Sequence, residues 1–412
     1  MPSEAALLWD ESYLWGLIAY RALKRLSLDF SLVTSDDIRK GALDGRRLLY
    51  VPGGWASNKL AALGDEGARR IKKFVKEGGS YLGVCGGAGL ATSEGIGLLD
   101  IKRRPLEERV PSLSGKIRAK VVSPHALWNG IRGPWPSFHI WWPSQFKPAD
   151  PSIRIVASFG QAAPEAFSSD INVGSVQDWK PLEAGYKINL DPERMINEPL
   201  ALEGAYGAGR VFLTLIHLDT PGDPKGGRAL QNLWLYLGGG KIKRSKKRLP
   251  DKERDNGLSK NTKRKKAKRL LGPVEELFDL GARNFLWFRD GWIVRWRRGV
   301  RGLEYFTLYE LVKELAGGIS RSPGADGQED IESLICGLRG FTEKAGRLLI
   351  LERMALQRGE ALTFSKASNE EMAALRAELF SSSKSHGGAY KDLLDKVDRL
   401  LYGYLFCHSG LN

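Results

Sequence analysis

The chain is poor in the residues that build covalent or metal-held frameworks. Among 412 residues there are three cysteines, five histidines and four methionines. Cys85, Cys336 and Cys407 are too few and too scattered for a disulfide scaffold or a cysteine-based zinc site. They imply a reducing compartment, and neither a metal nor a cofactor is expected. No run approaches the roughly 20 apolar residues of a membrane-spanning helix. The opening MPSEAALLWDESY lacks the basic and apolar regions of a signal peptide, so a soluble cytoplasmic protein with no membrane partner is expected. No internal repeat is visible. Composition is otherwise ordinary, with 42% hydrophobic and 27% charged residues, which excludes a largely disordered chain.

Charge is what the chain has in excess: +15 overall, with a pI near 9.6. It is concentrated. Residues 241–269 hold 15 Lys and Arg against Asp251, Glu253 and Asp255, a net +12, and leave +3 for all the rest. That stretch has no aromatic residue and few aliphatics, so it cannot bury enough surface to order itself. It is expected to be a flexible basic linker over 241–272, between a domain at 1–240 and another at 273–412. A polyanion partner for 241–269 is the second reading, because clustered cations release counterions from phosphates. Without aromatics to stack on bases, sequence-specific recognition is not expected.

The first 240 residues alternate in period. AALLW (5–9), DFSLVT (29–34), RLLYV (47–51) and SYLGV (80–84) are strand-like apolar runs, while 12–25 and 63–77 have helical spacing. Such alternation predicts an α/β domain with a mostly parallel, doubly wound sheet, whose ligands bind at the carboxyl ends of the strands. KIRAKVV and the hairpin-like LALEGAYGAGRVFLTLI predict added antiparallel strands. Residues 273–412 read as mainly helical, with capping boxes at Thr307/Glu310 and Ser368/Glu371, an apolar stripe through Leu394, Val397, Leu401 and Tyr404, and Cys336 and Cys407 in the core. FLWFRDGWIVRWRR (285–298) predicts a packed amphipathic hairpin turning at Asp290-Gly291, the second reading of its Arg among aromatics being nucleic-acid contact.

Three motifs carry chemistry. Gly83-Val84-Cys85-Gly86-Gly87, after a strand and before a helix, has the form of a nucleophile elbow with Cys85 as the nucleophile. Glycines flank it because the tight turn leaves no room for side chains. His217-Leu218-Asp219 follows the strand GRVFLTLI, which places a base and its orienting acid at the same sheet edge. Val51-Pro52-Gly53-Gly54 ends the third strand, and its amides with that of Gly86 form a candidate oxyanion hole. A Trp- and Pro-rich segment with Trp128, Trp135, Phe138, His139, Trp141 and Trp142 either walls a pocket over the elbow or packs as a satellite core; Trp55, His139 and Trp141 are the candidate pocket residues.

In this order, VPGG, GVCGG and HLD resemble the class I glutamine amidotransferase-like superfamily. The phrases LLYVPGGWASNK, KFVKEGGSYLGVCGGAGLA and GRVFLTLIHLD are most similar to the amidotransferase-like domain at the N-terminus of biotin–protein ligases and in stand-alone bacterial relatives, over roughly residues 4–240. The resemblance implies a flavodoxin-like fold, with Cys85 as nucleophile, His217 as base, Asp219 as orienter and Gly53, Gly54 and Gly86 as oxyanion donors. Glutaminases of the superfamily carry Gln where Gly89 stands, which argues against glutamine as substrate. Residues 241–412 lack the Gly-Arg-rich biotin-adenylate signature, which argues against biotin ligation. Two functions follow: a cysteine hydrolase or transferase acting on an amide or acyl bond of a small molecule or peptide, or a non-catalytic ligand-binding or regulatory module on the same fold.

Overall fold

The structure is a computed structural model that describes residues 3–240, 257–321, 328–382 and 385–407. The chain divides into two compact units, Met1–Lys246 and Lys247–Asn412.

The first unit is built on an 11-stranded mixed sheet. Its parallel half begins with β1 (Ala5–Leu8), α1 (Tyr13–Arg25), β2 (Ser31–Val33), α2 (Ser35–Arg39), β3 (Leu48–Val51), α3 (Ala56–Lys76), β4 (Ser80–Val84) and the short α4 (Gly86–Leu90). Every residue of β1, β2, β3 and β4 is buried, as expected of strands covered by helices on both faces. The strand order β2-β1-β3-β4 reverses between β1 and β3. That switch point opens a crevice at the carboxyl edge. Helix α3 starts earlier than its sequence pattern indicates; Gly64, at φ 60 and ψ −176, separates its first turns from the segment opened by Asp65 and Glu66.

The rest of the sheet is antiparallel and wider than the two sequence phrases predict. It includes β6 (Leu113–Val121), β7 (Ser137–Trp141), β9 (Arg154–Ala162), β10 (Phe167–Ser168) and β11 (Ile171–Asn172), while β5 (Ile101–Arg103) and β8 (Phe146–Pro148) pair with each other in a separate two-stranded sheet. Helix α5 (Lys180–Tyr186) precedes the hairpin of β12 (Pro199–Tyr206) and β13 (Gly209–Thr214), and α6 (Pro224–Tyr236) closes the unit. β13 joins the two halves: it pairs antiparallel with β12 and parallel with β4, Thr214 standing opposite Val84. Its end therefore lies beside the end of β4. β7 pairs with β6 and touches the chain after β13 through an Ile140–Ile216 bridge.

The second unit comprises α7 (Gly257–Arg283), the hairpin β14 (Trp287–Asp290) and β15 (Ile293–Trp296), α8 (Gly302–Arg321), α9 (Gln328–Gln357), α10 (Glu370–Phe380) and α11 (Gly388–Cys407). α7 corrects the expected linker: residues 257–272 are helical, and 241–256 lie outside the described residues. Lys and Arg are good helix formers. Ala267 and Leu270 begin a buried stripe that continues through Val274, Leu277 and Phe278. The hairpin packs as expected, its cations engaged locally. Arg289 lies over the Phe278 ring, and the buried Arg295 pairs with Asp290 at 2.7 Å.

Three smaller expectations are corrected. Thr307 is buried inside α8 rather than capping it. The cap of α10 is Asn369, which accepts from Met372 N at 2.8 Å, one residue beyond Ser368. Cys336 is exposed, because the buried face of α9 runs through Ile331, Leu334, Ile335 and Leu338; the side chain of Cys407 lies outside the described residues. Among the described residues, no helix is long and apolar enough to cross a membrane.

The core of this unit contains a charged pair, Arg376 and Glu352, at 2.8 Å with Glu352 1% exposed. Burial pushes the Glu352 carboxyl up to about 7, against the attraction of Arg376. A folded-state value above the ordinary 4.5 means that its contribution to stability is present below about pH 4.5 and is lost as pH rises through about 7. Chemical unfolding across that window should therefore give a shallower fall of stability with pH for Glu352→Gln than for the wild type. Equal slopes would show that Glu352 is already ionised in the folded protein.

Candidate active site

Cys85 follows β4 directly and adopts φ 51, ψ −106, a positive-φ conformation rare for a residue with a side chain. Its amide donates to the Thr214 carbonyl at 2.8 Å, and its carbonyl accepts from Gly89 N at 2.9 Å. The flanking glycines are sterically required. A Cβ on Gly86 would lie 1.8 Å from the Gly54 oxygen, and one on Gly87 2.0 Å from the Val51 oxygen. Gly54 itself has φ +109, and a Cβ there would lie 2.6 Å from the Glu11 oxygen. The turn after β3 and the elbow after β4 thus press together backbone to backbone. The amides of Gly54 and Gly86 donate to no acceptor among the described residues. Gly53 packs under Trp15, whose Cγ would be 2.9 Å from an added Cβ.

His217 and Asp219 sit in the loop after β13, both 1% exposed. Local hydrogen bonds set the loop. Ile216 N donates to Thr214 Oγ1 at 3.0 Å, and Thr220 Oγ1 donates to the His217 carbonyl at 2.9 Å. His217 N donates across to the His139 carbonyl at 2.9 Å. His217 Nδ1 and Asp219 Oδ1 are 3.1 Å apart, while Asp219 Oδ2 accepts from the Tyr50 hydroxyl, also at 3.1 Å. Trp15 covers the imidazole, ring centroids 4.6 Å apart. Nε2 of His217 is buried with no formed hydrogen bond. Burial alone would lower the imidazole's proton affinity, but the hydrogen bond to Asp219 and the charges of Asp219 and Cys85 outweigh it and raise the pKa to about 9. Tyr50 is pushed well above its ordinary value by burial and by the charge of Asp219, so it remains a neutral donor.

The structure brings Cys85, His217, Asp219 and the Gly53-Gly54 turn to one edge. Of the three candidate pocket residues, Trp141 is 4% exposed and offers Cys85 its backbone, the sulfur lying 3.8 Å from the Trp141 oxygen. His139 is partly exposed and bonds Asp223 at 2.9 Å. Trp55 starts α3 beside the glycine turn and is 44% exposed. Sequence reasoning missed Tyr50, Trp15 and Asp223. Asp223 had a readable signal, an Asp directly before a Pro at a helix start; its side chain caps α6 through Gly226 N at 2.8 Å.

Residues 30–95 match the family model described as biotin–protein ligase, N terminal. The match contains the glycine turn and the elbow, and ends well before His217. A comparison with curated proteins returns no match. Among solved structures, a GMP synthase subunit-like protein from Thermoplasma acidophilum aligns at 15% identity and a TM-score of 0.37, covering 58% of this chain and 94% of that one. A β-galactosidase from Rahnella sp. R3 aligns at 14% identity and a TM-score of 0.38, covering 58% of this chain and 32% of that one.

Two measurements test the site's electrostatics and strain. The His217 imidazole should titrate near pH 9 by NMR, and its contribution to stability should persist below about pH 6.5 and be lost as pH rises through about 9. In Asp219→Asn, with the carboxylate charge gone and burial unopposed, the midpoint should fall by at least one unit; an unchanged midpoint would remove Asp219 as the cause. At Cys85 the usual ranking of Ala over Gly should invert, Cys85→Gly being more stable than Cys85→Ala by about 1 kcal/mol because only glycine adopts this φ without strain.

Proposed function

We propose that the N-terminal unit is a cysteine-dependent amidase or acyl transferase of the amidotransferase-like type, with Cys85, His217 and Asp219 as its triad. One observation carries the reading: a buried imidazole held by Asp219 leaves the end of β13 where that strand runs alongside β4, whose end carries a positive-φ elbow cysteine. At neutral pH a His217 that titrates near 9 is an imidazolium. The Cys85 sulfur attacks the substrate carbonyl carbon, and the developing oxyanion takes the Gly54 and Gly86 amides. The C–N bond breaks, and the leaving amine takes the proton from His217 Nε2, leaving a thioester. Water then adds to the thioester carbon and gives its proton to His217. The C–S bond breaks and the starting pair is restored. Asp219 keeps the ring in the required tautomer, and Tyr50 keeps Asp219 in place.

A second reading, a ligand-binding or regulatory module without turnover, is favoured by Gly89. A Cβ there would only touch Ala56, at 3.4 Å, so this position supplies no side chain to hold glutamine.

The exposed Cys336 is an internal control for the test. With iodoacetamide at pH 7, Cys85 should be alkylated at least tenfold faster than Cys336, and His217→Ala should bring the two rates together. Equal rates in the wild type would overturn the catalytic reading and leave the binding module standing.

A further inference from the structure

A second His–Asp pair stands beside the first. His139 Nδ1 is 2.9 Å from Asp223 Oδ2. The other oxygen of Asp223 accepts from Gly226 N at the start of α6, so this carboxylate is anchored at both ends. Asp223 is 6% exposed, whereas the His139 side chain is 27% exposed. With Nδ1 committed to Asp223, the chemistry of this imidazole is directed outward through Nε2. The two pairs are joined by backbone, since His217 N donates to the His139 carbonyl.

Three tryptophans connect the two imidazoles by side chain. From His217 the ring centroids step 4.6 Å to Trp15, then 6.3 Å from Trp15 to Trp142, 6.1 Å from Trp142 to Trp141 and 5.9 Å from Trp141 to His139, the last pair stacked at 10°. Trp141 is the fixed platform, buried and held by Nε1 to Thr220 Oγ1 at 3.1 Å. Trp15 and Trp142 are half-buried. The Cys85 sulfur stands beside this arc, 3.8 Å from the Trp141 oxygen. Trp15 and Trp142 meet at 69° and Trp142 and Trp141 at 45°, so the rings make an angled apolar wall, and such a wall with one fixed polar group at its end selects a ligand by shape and then by its terminus.

We infer that His139, held by Asp223, determines the specificity of the Cys85 site: it binds the acidic end of an amide or acyl substrate whose planar apolar portion lies along Trp142 and Trp15. With Nδ1 on Asp223, the Nε2 edge of His139 is the polar group left to hydrogen-bond a substrate carboxylate. Lys116, cross-strand partner of His139, is paired with Glu165 at 3.3 Å and so adds no net charge at this end, which leaves His139 to supply the recognition. The inference rests on Cys85 being the reactive group.

The test uses the full chain and three alkylating probes: iodoacetamide, N-phenyl-iodoacetamide and N-(4-carboxyphenyl)-iodoacetamide. Each Cys85 rate is divided by the Cys336 rate in the same sample, which cancels intrinsic probe reactivity. The normalised rate should rise from iodoacetamide to the phenyl probe, and rise at least fivefold again for the carboxyphenyl probe. His139→Gln and Asp223→Asn should each erase the second step, the latter while keeping a capping side chain on α6. Equal normalised rates for the phenyl and carboxyphenyl probes, or a carboxylate step that survives both substitutions, would overturn the inference. A ratio near one for iodoacetamide itself would instead overturn the nucleophile assignment, and the two failures are thereby told apart.

Discussion

The close approach of two backbone turns at the carboxyl edge of the sheet is the constraint on which the site depends. Gly86 and Gly87 run so near the carbonyls of Gly54 and Val51 that no side chain fits between them. This contact holds the elbow in a conformation that Cys85 would not adopt by itself. Positive φ recurs nearby at Glu11 and Tyr13, so strain is gathered along the ends of β1 and β4, while Gly54 takes its positive φ after β3 without cost. Such strain persists only where the surroundings over-determine it. Lys59 is part of that restraint: fully buried in α3, it donates to Ser12 Oγ and to the Asp10 carbonyl, tying the loop after β1 to the helix that follows the glycine turn.

The second constraint is polar. Tyr50 on β3 reaches Asp219, and Asp219 reaches His217, all three buried. Apolar side chains of similar volume would fill this space at lower cost, because each buried polar group must recover what it loses in leaving water. The chain is satisfied at every member but the last, His217 Nε2. A purely structural network would be expected to close. One that ends in an open nitrogen beside the elbow is poised to pass a proton to a leaving group, as the proposed triad requires.

Much of this was legible in sequence where the signal is local. Continuous apolar runs mark β1, β3 and β4 because strands buried on both faces need no polar alternation. The elbow is legible because glycine spacing reports a backbone clash directly. Tyr50 was not, since its partner Asp219 lies 169 positions away and a tyrosine in an apolar strand carries no mark of what its hydroxyl meets. Trp15 is hidden in the same way, on a helix whose spacing reveals burial and not the neighbour. The helical start of α7 was obscured because charge density argues against a buried core, whereas Ala267 and Leu270 supply enough of a stripe to dock one face. Asn369 displaced Ser368 as a cap because both are good caps and only the backbone decides between them.

The antiparallel half of the sheet takes on a role that the elbow helix leaves vacant. At Gly89 the helix after the elbow offers no side chain to a ligand, so on the proposed reading recognition comes from elsewhere. β7 is the strand placed to supply it. It is hydrogen-bonded to β6, bridged to the chain after β13, and ends at Trp141, whose carbonyl meets the sulfur. Through β7 a single backbone carries His139 and Trp141 to the edge where β4 and β13 deliver the cysteine and the histidine. On the proposed reading, the parallel half of the sheet sets the reacting atoms, and the antiparallel half sets what is brought to them. A ligand chosen this way need not be glutamine, nor have any group that glutamine has beyond a carbonyl carbon within reach of Cys85.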